Sequence, residues 1–485
     1  MDPRDIPATF SRRHLTYDDL EGKRLDDFTT PADLADLDQL AGIYPVTWLF
    51  PAPAGKVRIL HLFGGCGGWC VGVRLALGDA YDAVCIDINA DATATARASG
   101  CYAVQADVTT LDPEHFCLRH VNILMASPPC TAWTRAGKQL GHVAANREIL
   151  IDAIDRAAWA AGNYTVDGSD YCTHDDMADC EDLCFEHRGE PSGETWDEVR
   201  ALTAGMTDPT AGLMLEPVIF FLALTKMDAP LTGFLMEQSH ALPQDIREEI
   251  DIEIWAAEWM GVRWETIDAA DYGSPSHRRR AILMATRYTN LSLTCLDPHE
   301  PLTTHAADAL GMDPGAVVVT RANRKTKGGN HFSMDRVVPG ITSKIRGWYL
   351  LDDETFRFTI PQAAALVTLP RDHPLTGSRT SMCQQLADVV APVVALMAMA
   401  VLTQRGGAWR PTLKRYLADQ YPNVHGPQAA AQPPCDGFGG ALRCHGHHPA
   451  PAPAQPARAV PSPRPAPAGT AAPPRRQHAE QVALF

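Results

Sequence analysis

Val57-Arg58-Ile59-Leu60-His61-Leu62-Phe63-Gly64-Gly65-Cys66-Gly67-Gly68 is the stretch on which the fold turns. Its first seven residues are mostly apolar and β-prone, which predicts a strand buried on both faces. Glycines follow at once, and from Trp69 to about Leu77 the pattern is helical. Glycines without side chains let the backbone approach a ligand, and the amino end of a helix favours a carboxylate or phosphate. The pattern then repeats. Ala83-Val84-Cys85-Ile86-Asp87-Ile88 predicts a second strand, Ala92 to Ser99 a helix, Tyr102 to Ala106 a short third strand, and Val121 to Ala126 a fourth. Such alternation predicts an α/β fold with a doubly wound, mostly parallel, Rossmann-like sheet. Farther on, Leu213 to Thr225 reads as a buried helix, with further strands at Gly233 to Met236 and Arg280 to Ala285.

Composition sets the bounds. The chain has 485 residues, 45% of them hydrophobic, enough for an ordinary core and for two domains plus tails. No apolar run approaches the roughly 20 residues of a membrane span, and Met1-Asp2-Pro3-Arg4 lacks a signal-peptide pattern. Thirteen cysteines, mostly inside apolar runs, suit a reducing compartment, so a cytoplasmic protein is expected. The net charge of −16 argues against nucleic acid, but it averages two opposed blocks. Residues 160–200 carry twelve Asp/Glu against two Arg, while residues 318–347 carry seven Lys/Arg against one Asp. Pro51-Ala52-Pro53-Ala54-Gly55 reads as a linker, and residues 426–480, dominated by Pro and Ala, predict a disordered tail.

Three further positions carry chemistry. Asp87 ends the second strand, where an acid accepts the hydroxyls of a ribose, and Asp107 ends the third. With the glycine turn they describe an adenosine-containing cofactor lying across the strand ends. A tight turn with two helix-capping aspartates is the plainer alternative. Ser127-Pro128-Pro129-Cys130 stops the fourth strand with two prolines, which cannot donate ladder hydrogen bonds. Cys130 is thereby set on a stiff loop at the carboxyl end of a strand, where open α/β sheets bind their ligands.

Phe63-Gly64-Gly65-Cys66-Gly67-Gly68, Pro128-Pro129-Cys130, Met236-Glu237-Gln238 and Tyr272-Gly273-Ser274-Pro275-Ser276-His277-Arg278-Arg279-Arg280 occur in an order that resembles the DNA cytosine-5 methyltransferases. Phe358-Thr359-Ile360-Pro361-Gln362-Ala363-Ala364 and Gln385-Leu386-Ala387-Asp388-Val389-Val390-Ala391-Pro392 extend the resemblance over about residues 57–400. It implies a class I methyltransferase fold and S-adenosylmethionine as cofactor. Phe63 and Gly64 to Gly68, Cys66 included, would face the methionine half, Asp87 the ribose and Asp107 the adenine, with Ile88, Val108, Pro128 and Asp388 completing the set. Cys130 would be the nucleophile, Glu237 the acid, and Arg278 and Arg280 the substrate-site arginines. The chemistry needs these types. Cytosine C5 is a poor nucleophile, so a thiolate adds to C6, a carboxyl group supplies a proton at N3, and the base must leave the duplex stack.

The sequence also departs from the family. Glu237 is followed by Gln238-Ser239 where the family has Asn-Val, Ser276 replaces a Gln, Thr131 follows the cysteine, and Ala387-Asp388 stands where the family has Gly-Asn. These keep two alternatives open: the same fold with an altered transferred group or target base, or a catalytically silent protein that binds cofactor and DNA.

The implied organisation is an N-terminal extension (1–55), a catalytic domain (56–287) with an acidic insertion near 140–205, and a small target-recognition region (288–348). The chain then returns to the catalytic domain (349–405) and ends in a C-terminal extension with its tail (406–485). In the recognition region Arg321, Arg324, Lys325 and Lys327 form a basic, glycine-hinged stretch suited to double-stranded DNA, or simply to solvent. Cys172, His174, Cys180, Cys184 and His187 in the insertion suit zinc or a solvated flap equally, and no metal is assigned. Gln481-Val482-Ala483-Leu484-Phe485 resembles the peptide by which bacterial proteins dock on the DNA-polymerase sliding clamp, with Gln481, Leu484 and Phe485 as anchors. A monomer is expected.

Overall fold

In a computed structural model, residues 14–134, 137, 139–163, 165–166, 187–188, 191–287, 302–320, 330–403 and 406–425 are described. The basic stretch Arg321, Arg324, Lys325 and Lys327, the cluster Cys172, His174, Cys180 and Cys184, the Pro/Ala-rich tail and the Gln481 to Phe485 segment lie outside the described residues.

The strands in chain order are β1 (Val57–Leu62), β2 (Tyr81–Asp87), β3 (Tyr102–Gln105), β4 (Ile123–Ala126), β5 (Thr165–Val166), β6 (His187–Arg188), β7 (Gly233–Ser239), β8 (Gly261–Asp268), β9 (Arg279–Thr286), β10 (Val317–Thr320), β11 (Asn330–Ser333) and β12 (Tyr349–Leu350). Seven of them make the main sheet, in the order β3-β2-β1-β4-β7-β9-β8. β1 pairs in parallel with β2 and β4, β2 with β3, and β4 with β7, whereas β9 runs antiparallel to both its neighbours. The fold is an α/β, mostly parallel, Rossmann-like sheet. Strand order reverses between β1 and β4, so the crevice outside their carboxyl ends is where such a sheet binds its ligand.

Period-two alternation splits the core into two layers. Ile59, Met125, Leu235, Ile282 and Met284 point to a layer with Trp69, Val73 and the buried residues of helix Pro392–Leu402. Leu60, Leu62, Leu124, Phe234, Met236 and Leu283 point to the other, against helices Ala144–Ala161, Leu215–Lys226 and Gln244–Ala256. Helix Gly68–Leu77 lies close on residues 389–396: a Cβ at Gly68 would stand 2.3 Å from the Val390 carbonyl oxygen, and one at Gly72 2.3 Å from Ala395 Cβ.

Three features differ from the sequence reading. β8 went unread because it is a half-exposed edge strand whose Arg263, Glu265 and Thr266 hide any apolar period. The estimate that no apolar run nears a membrane span also needs correction. Helical stretches Pro209–Lys226 and Arg379–Leu402 pass that test by length and composition, and both are largely buried in the core. Third, the extension ahead of β1 is not merely polar. Trp48, Leu49 and Phe50 are buried, and the fully buried Arg58 donates to the carbonyls of Thr47, Trp48 and Phe50 while facing Asp82 at 3.5 Å. At the other end, helix Gly406–Gln420 contributes Trp409, Leu413 and Leu417 to the core, and Tyr416 and Tyr421 donate to the carbonyls of Thr368 and Ala365. β10 pairs antiparallel with β11 and β12 in a separate small sheet.

Candidate active site

The glycine turn leaves β1 through Phe63 (φ 57°), Gly65 (φ 56°) and Gly67 (φ 90°), all in the left-handed region. A β-carbon at Gly65 would meet nothing within 4 Å, so the turn opens outward there, while one at Gly64 would press on Cys85 Cβ at 3.1 Å. Buried Cys66 gives its carbonyl to His373 Nε2 at 2.9 Å. Asp87 is fixed from both sides. Its Oδ2 accepts from Gly65 N and its Oδ1 from Asn89 N, each at 2.8 Å. Burial raises its pKa against these two bonds. Ile88 beside it is 64% exposed, an apolar platform at the strand end, and Val108 is buried. Asp107 caps the short turn after β3, its Oδ1 accepting from Thr109 N at 3.0 Å and Thr109 Oγ1 at 2.8 Å. The capping reading of Asp107 is thus realised, and Oδ2 takes no part in those bonds. An outward-facing glycine turn, an acid with spare acceptor capacity and an exposed apolar side chain in one row fit an adenosine-bearing ligand such as S-adenosylmethionine.

The loop after β4 is tied on both sides. Ser127 N donates to Leu62 O, Trp69 Nε1 to Ser127 Oγ at 2.7 Å, and the fully buried Gln238 donates through Nε2 to Pro128 O at 3.2 Å. Cys130 then opens a turn, its carbonyl accepting from Trp133 N and Thr134 N. The half-buried thiol is pushed up by burial and by Glu237, against the pull of Arg280 and Arg278.

Glu237 and Arg280 meet across the β7–β9 ladder. Arg280 stands opposite Ser239, one diagonal step from Glu237 on the same face, and its Nε lies 2.6 Å from Glu237 Oε1. Arg278 is buried beside them, with Nε and Nη2 finding no partner among the described residues. Burial, then Arg280, bring its pKa down to about 9. Buried polar groups are almost always paired, so an unpaired guanidinium facing a thiol and a carboxylate marks a place built for a ligand. Asp388 ends helix Arg379–Asp388 and accepts from Gln384 Nε2 at 2.7 Å. Desolvation by the cleft and the charge of Asp87 raise its carboxyl, against Arg278 and Arg280.

Cys130, Glu237, Arg278, Arg280 and Asp388 are thus electrostatic neighbours at the strand ends, with Asp87 and the glycine turn on the same rim. Two contributors escaped the sequence reading. Gln238 ties the cysteine loop to β7, and only its place after Glu237 hinted at this. Asp268 accepts from Arg278 N at 2.8 Å, His277 Nδ1 at 2.9 Å and Ala270 N at 3.1 Å, and so sets the arginine element in place. Burial would raise Asp268, but these donors hold it below the usual carboxylate range. Ser276 serves elsewhere: its buried hydroxyl donates to Leu366 O, away from the cleft.

Residues 57–157 match the family model of the C-5 cytosine-specific DNA methylases. No curated relative matches the sequence. Among solved structures, a DNA modification methyltransferase encoded within a prophage (E. coli) is 14% identical, with a TM-score of 0.44, covering 72% of this chain and 99% of that one. The Dnmt2 methyltransferase of S. pombe is 15% identical with a TM-score of 0.44, again over 72% of this chain and 99% of its own. Spodoptera frugiperda DNMT2 is 13% identical with a TM-score of 0.40, covering 72% and 100%. At such scores these likenesses add nothing to the topology already described. The sequence match shows that residues 57–157 are similar to the C-5 cytosine-specific DNA methylases.

Proposed function

We propose that this protein is a DNA cytosine-5 methyltransferase using S-adenosylmethionine, with Cys130 as nucleophile. The observation that carries the reading is the Arg280–Glu237 ion pair at 2.6 Å beside Cys130 and Arg278, whose Nε and Nη2 have no partner among the described residues. The glycine turn, Asp87, Ile88, Asp107, Val108, Pro128 and Asp388 would hold the cofactor, which supplies an electrophilic methyl group when bound. In the chain's own chemistry, Cys130 loses its proton and its sulfur bonds to C6 of a cytosine drawn out of the stack. Glu237 gives N3 the proton that neutralises the developing enamine, and Arg280 orients that carboxyl. After transfer, a solvent water takes the C5 proton, the C6–sulfur bond breaks to return the thiolate, and N3 gives its proton back to Glu237. Arg278 would offer its free N–H donors to the base or its phosphate.

Double-stranded DNA is the proposed substrate, held in part by Arg321, Arg324, Lys325 and Lys327. The segment Gln481 to Phe485 is proposed to dock on the sliding clamp. The test incubates the protein with labelled cofactor and unmodified duplex, beside Cys130→Ala. Label recovered as 5-methylcytosine with the parent chain alone is expected. Transfer to RNA only, or none, would sink the DNA reading.

One observation favours a second reading. Asp388 sets a carboxylate, not the family's amide, within the field of Arg278 and Arg280 near the cofactor rim. An enzyme with an altered transferred group would accommodate that charge. Mass analysis of the product nucleoside separates the two: a mark other than 5-methylcytosine selects the second.

A further inference from the structure

Behind the glycine turn, on the side away from Cys130, lies a second cluster that the proposed reaction does not use. His61 on β1, Cys70 on helix Gly68–Leu77 and Cys85 on β2 are all buried, and one ligand atom from each lies within 4.8 Å of the others. Cys70 Sγ stands 3.1 Å from Cys85 Sγ, and Cys85 Sγ 3.7 Å from His61 Nδ1. Cys101, just ahead of β3, lines the same cavity as both thiols, and its Sγ lies 3.5 Å from Ser99 Oγ. All three cysteines are free. His61 Nε2 has no partner among the described residues.

We infer that His61, Cys70, Cys85 and Cys101 form a structural binding site for one thiophilic divalent cation of the zinc class. Three sulfurs and one imidazole are a standard tetrahedral donor set. Bond lengths of about 2.3 Å to sulfur and about 2.0 Å to nitrogen put tetrahedral ligand atoms roughly 3.5–3.8 Å apart. The Cys70–Cys85 and Cys85–His61 separations of 3.1 and 3.7 Å need shifts of only tenths of an ångström, and the Cys101 side chain turns inward to complete the set. The ligands come from β1, β2, the intervening helix and the approach to β3, so a bound ion would cross-link the first βαβ unit. An entry path exists as well. A cavity of about 570 Å³ is lined by His61, Cys70, Cys85 and Cys101, and also by exposed Lys56 and Asp79 at the surface. Binding would release the thiol protons to solvent as each sulfur takes its place on the ion.

A packed thiol cluster without metal, or a Cys70–Cys85 disulfide, is the competing account. The test is metal analysis of the full-length protein purified under reducing conditions, with zinc counted per chain. One equivalent is expected. It should persist in Cys172→Ser/Cys180→Ser/Cys184→Ser/Cys444→Ser, which removes the cysteines of the insertion and the one beside His445, His447 and His448, and fall at least tenfold in Cys101→Ser. Because substitutions of buried Cys70 or Cys85 risk unfolding the chain, cobalt(II) substitution of the parent gives a second readout. A thiolate-to-cobalt charge-transfer band should appear there and vanish in Cys101→Ser of unchanged circular dichroism. Zinc-free protein with no such band overturns the inference. So does a Cys70–Cys85 disulfide in the freshly purified chain, or metal lost with the four-serine variant instead.

Discussion

A guanidinium buried without partners costs the fold more than it returns, which makes Arg278 the residue where stability and function separate. Two of its nitrogens, Nε and Nη2, have no partner among the described residues, and replacing a poorly compensated buried charge with an apolar group of similar volume often stabilises by about 1–4 kcal/mol. Arg278→Met should therefore raise or leave unchanged the melting temperature of the ligand-free protein, while methyl transfer falls by about a hundredfold or more. A clear drop in melting temperature would show that the guanidinium is paired after all. At Glu237 the two properties separate the other way. Glu237→Gln keeps the shape but cannot deliver a proton, so kcat should fall roughly 10²- to 10⁴-fold with cofactor affinity preserved. Loss of cofactor binding in calorimetry would reassign Glu237 to a structural role. Gln238 is a positioning residue. Gln238→Ala strips Pro128 O of its donor and should destabilise by about 1–3 kcal/mol. It should also lower kcat more than it raises KM, because the cysteine loop loses its tie to β7. An unchanged kcat would show that the prolines alone hold the loop.

At the scale of elements, legibility followed burial. β1 and β4 are enclosed on both faces, so their sequences run apolar and end where glycine or proline stops them. β8, an edge strand with Arg263 and Thr266 exposed, has no such run, and the antiparallel entry of β9 depends on a tertiary choice that periodicity does not encode. The site divides similarly. The glycine turn, Cys130 and the arginine element stood out because each interrupts a pattern. Gln238 and Asp268 act through hydrogen bonds to backbone distant in sequence, which no local pattern reports. Helix Gln244–Ala256 yields a test at this scale. Its Asp251 is pushed up to about 7 from 3.8 by burial first and Glu248 second, and Oδ1 has no hydrogen-bond partner among the described residues. The folded state thus holds a proton that the unfolded chain gives up near pH 4, so Asp251 favours folding at low pH, and that contribution is lost as pH rises towards 7. Asp251→Asn should raise the melting temperature at pH 8 and change it little at pH 4. An equal gain at both values would remove the titration from the argument.

For the whole molecule, the question is where the folded body ends. Composition thins after about Arg405, yet helix Gly406–Gln420 closes the core: Leu417 is buried, and a Cβ at Gly273 would stand 2.4 Å from its Cδ1. His425 Nε2 and Thr304 Oγ1 are 2.7 Å apart, fastening the last described residue to the body. Truncation after His425 should then leave the melting temperature and methyl transfer to naked duplex within error of the full chain. Truncation after Thr403 would remove Trp409, Leu413, Leu417 and Tyr421, uncover the core around Tyr272, Gly273 and Ala365 that they cover, and should give an aggregating protein. The same pair of chains tests the proposed tail. If Gln481 to Phe485 dock on the sliding clamp, the chain ending at His425 loses clamp binding in a pull-down with purified clamp, and so does full-length Leu484→Ala/Phe485→Ala. Activity on clamp-free DNA stays the same in both. Clamp binding retained by both chains would place the contact on the folded body. Faster methylation of clamp-loaded DNA by the full chain alone would give the docking segment its function, since a linked docking site raises the local concentration of enzyme at DNA that has just been copied.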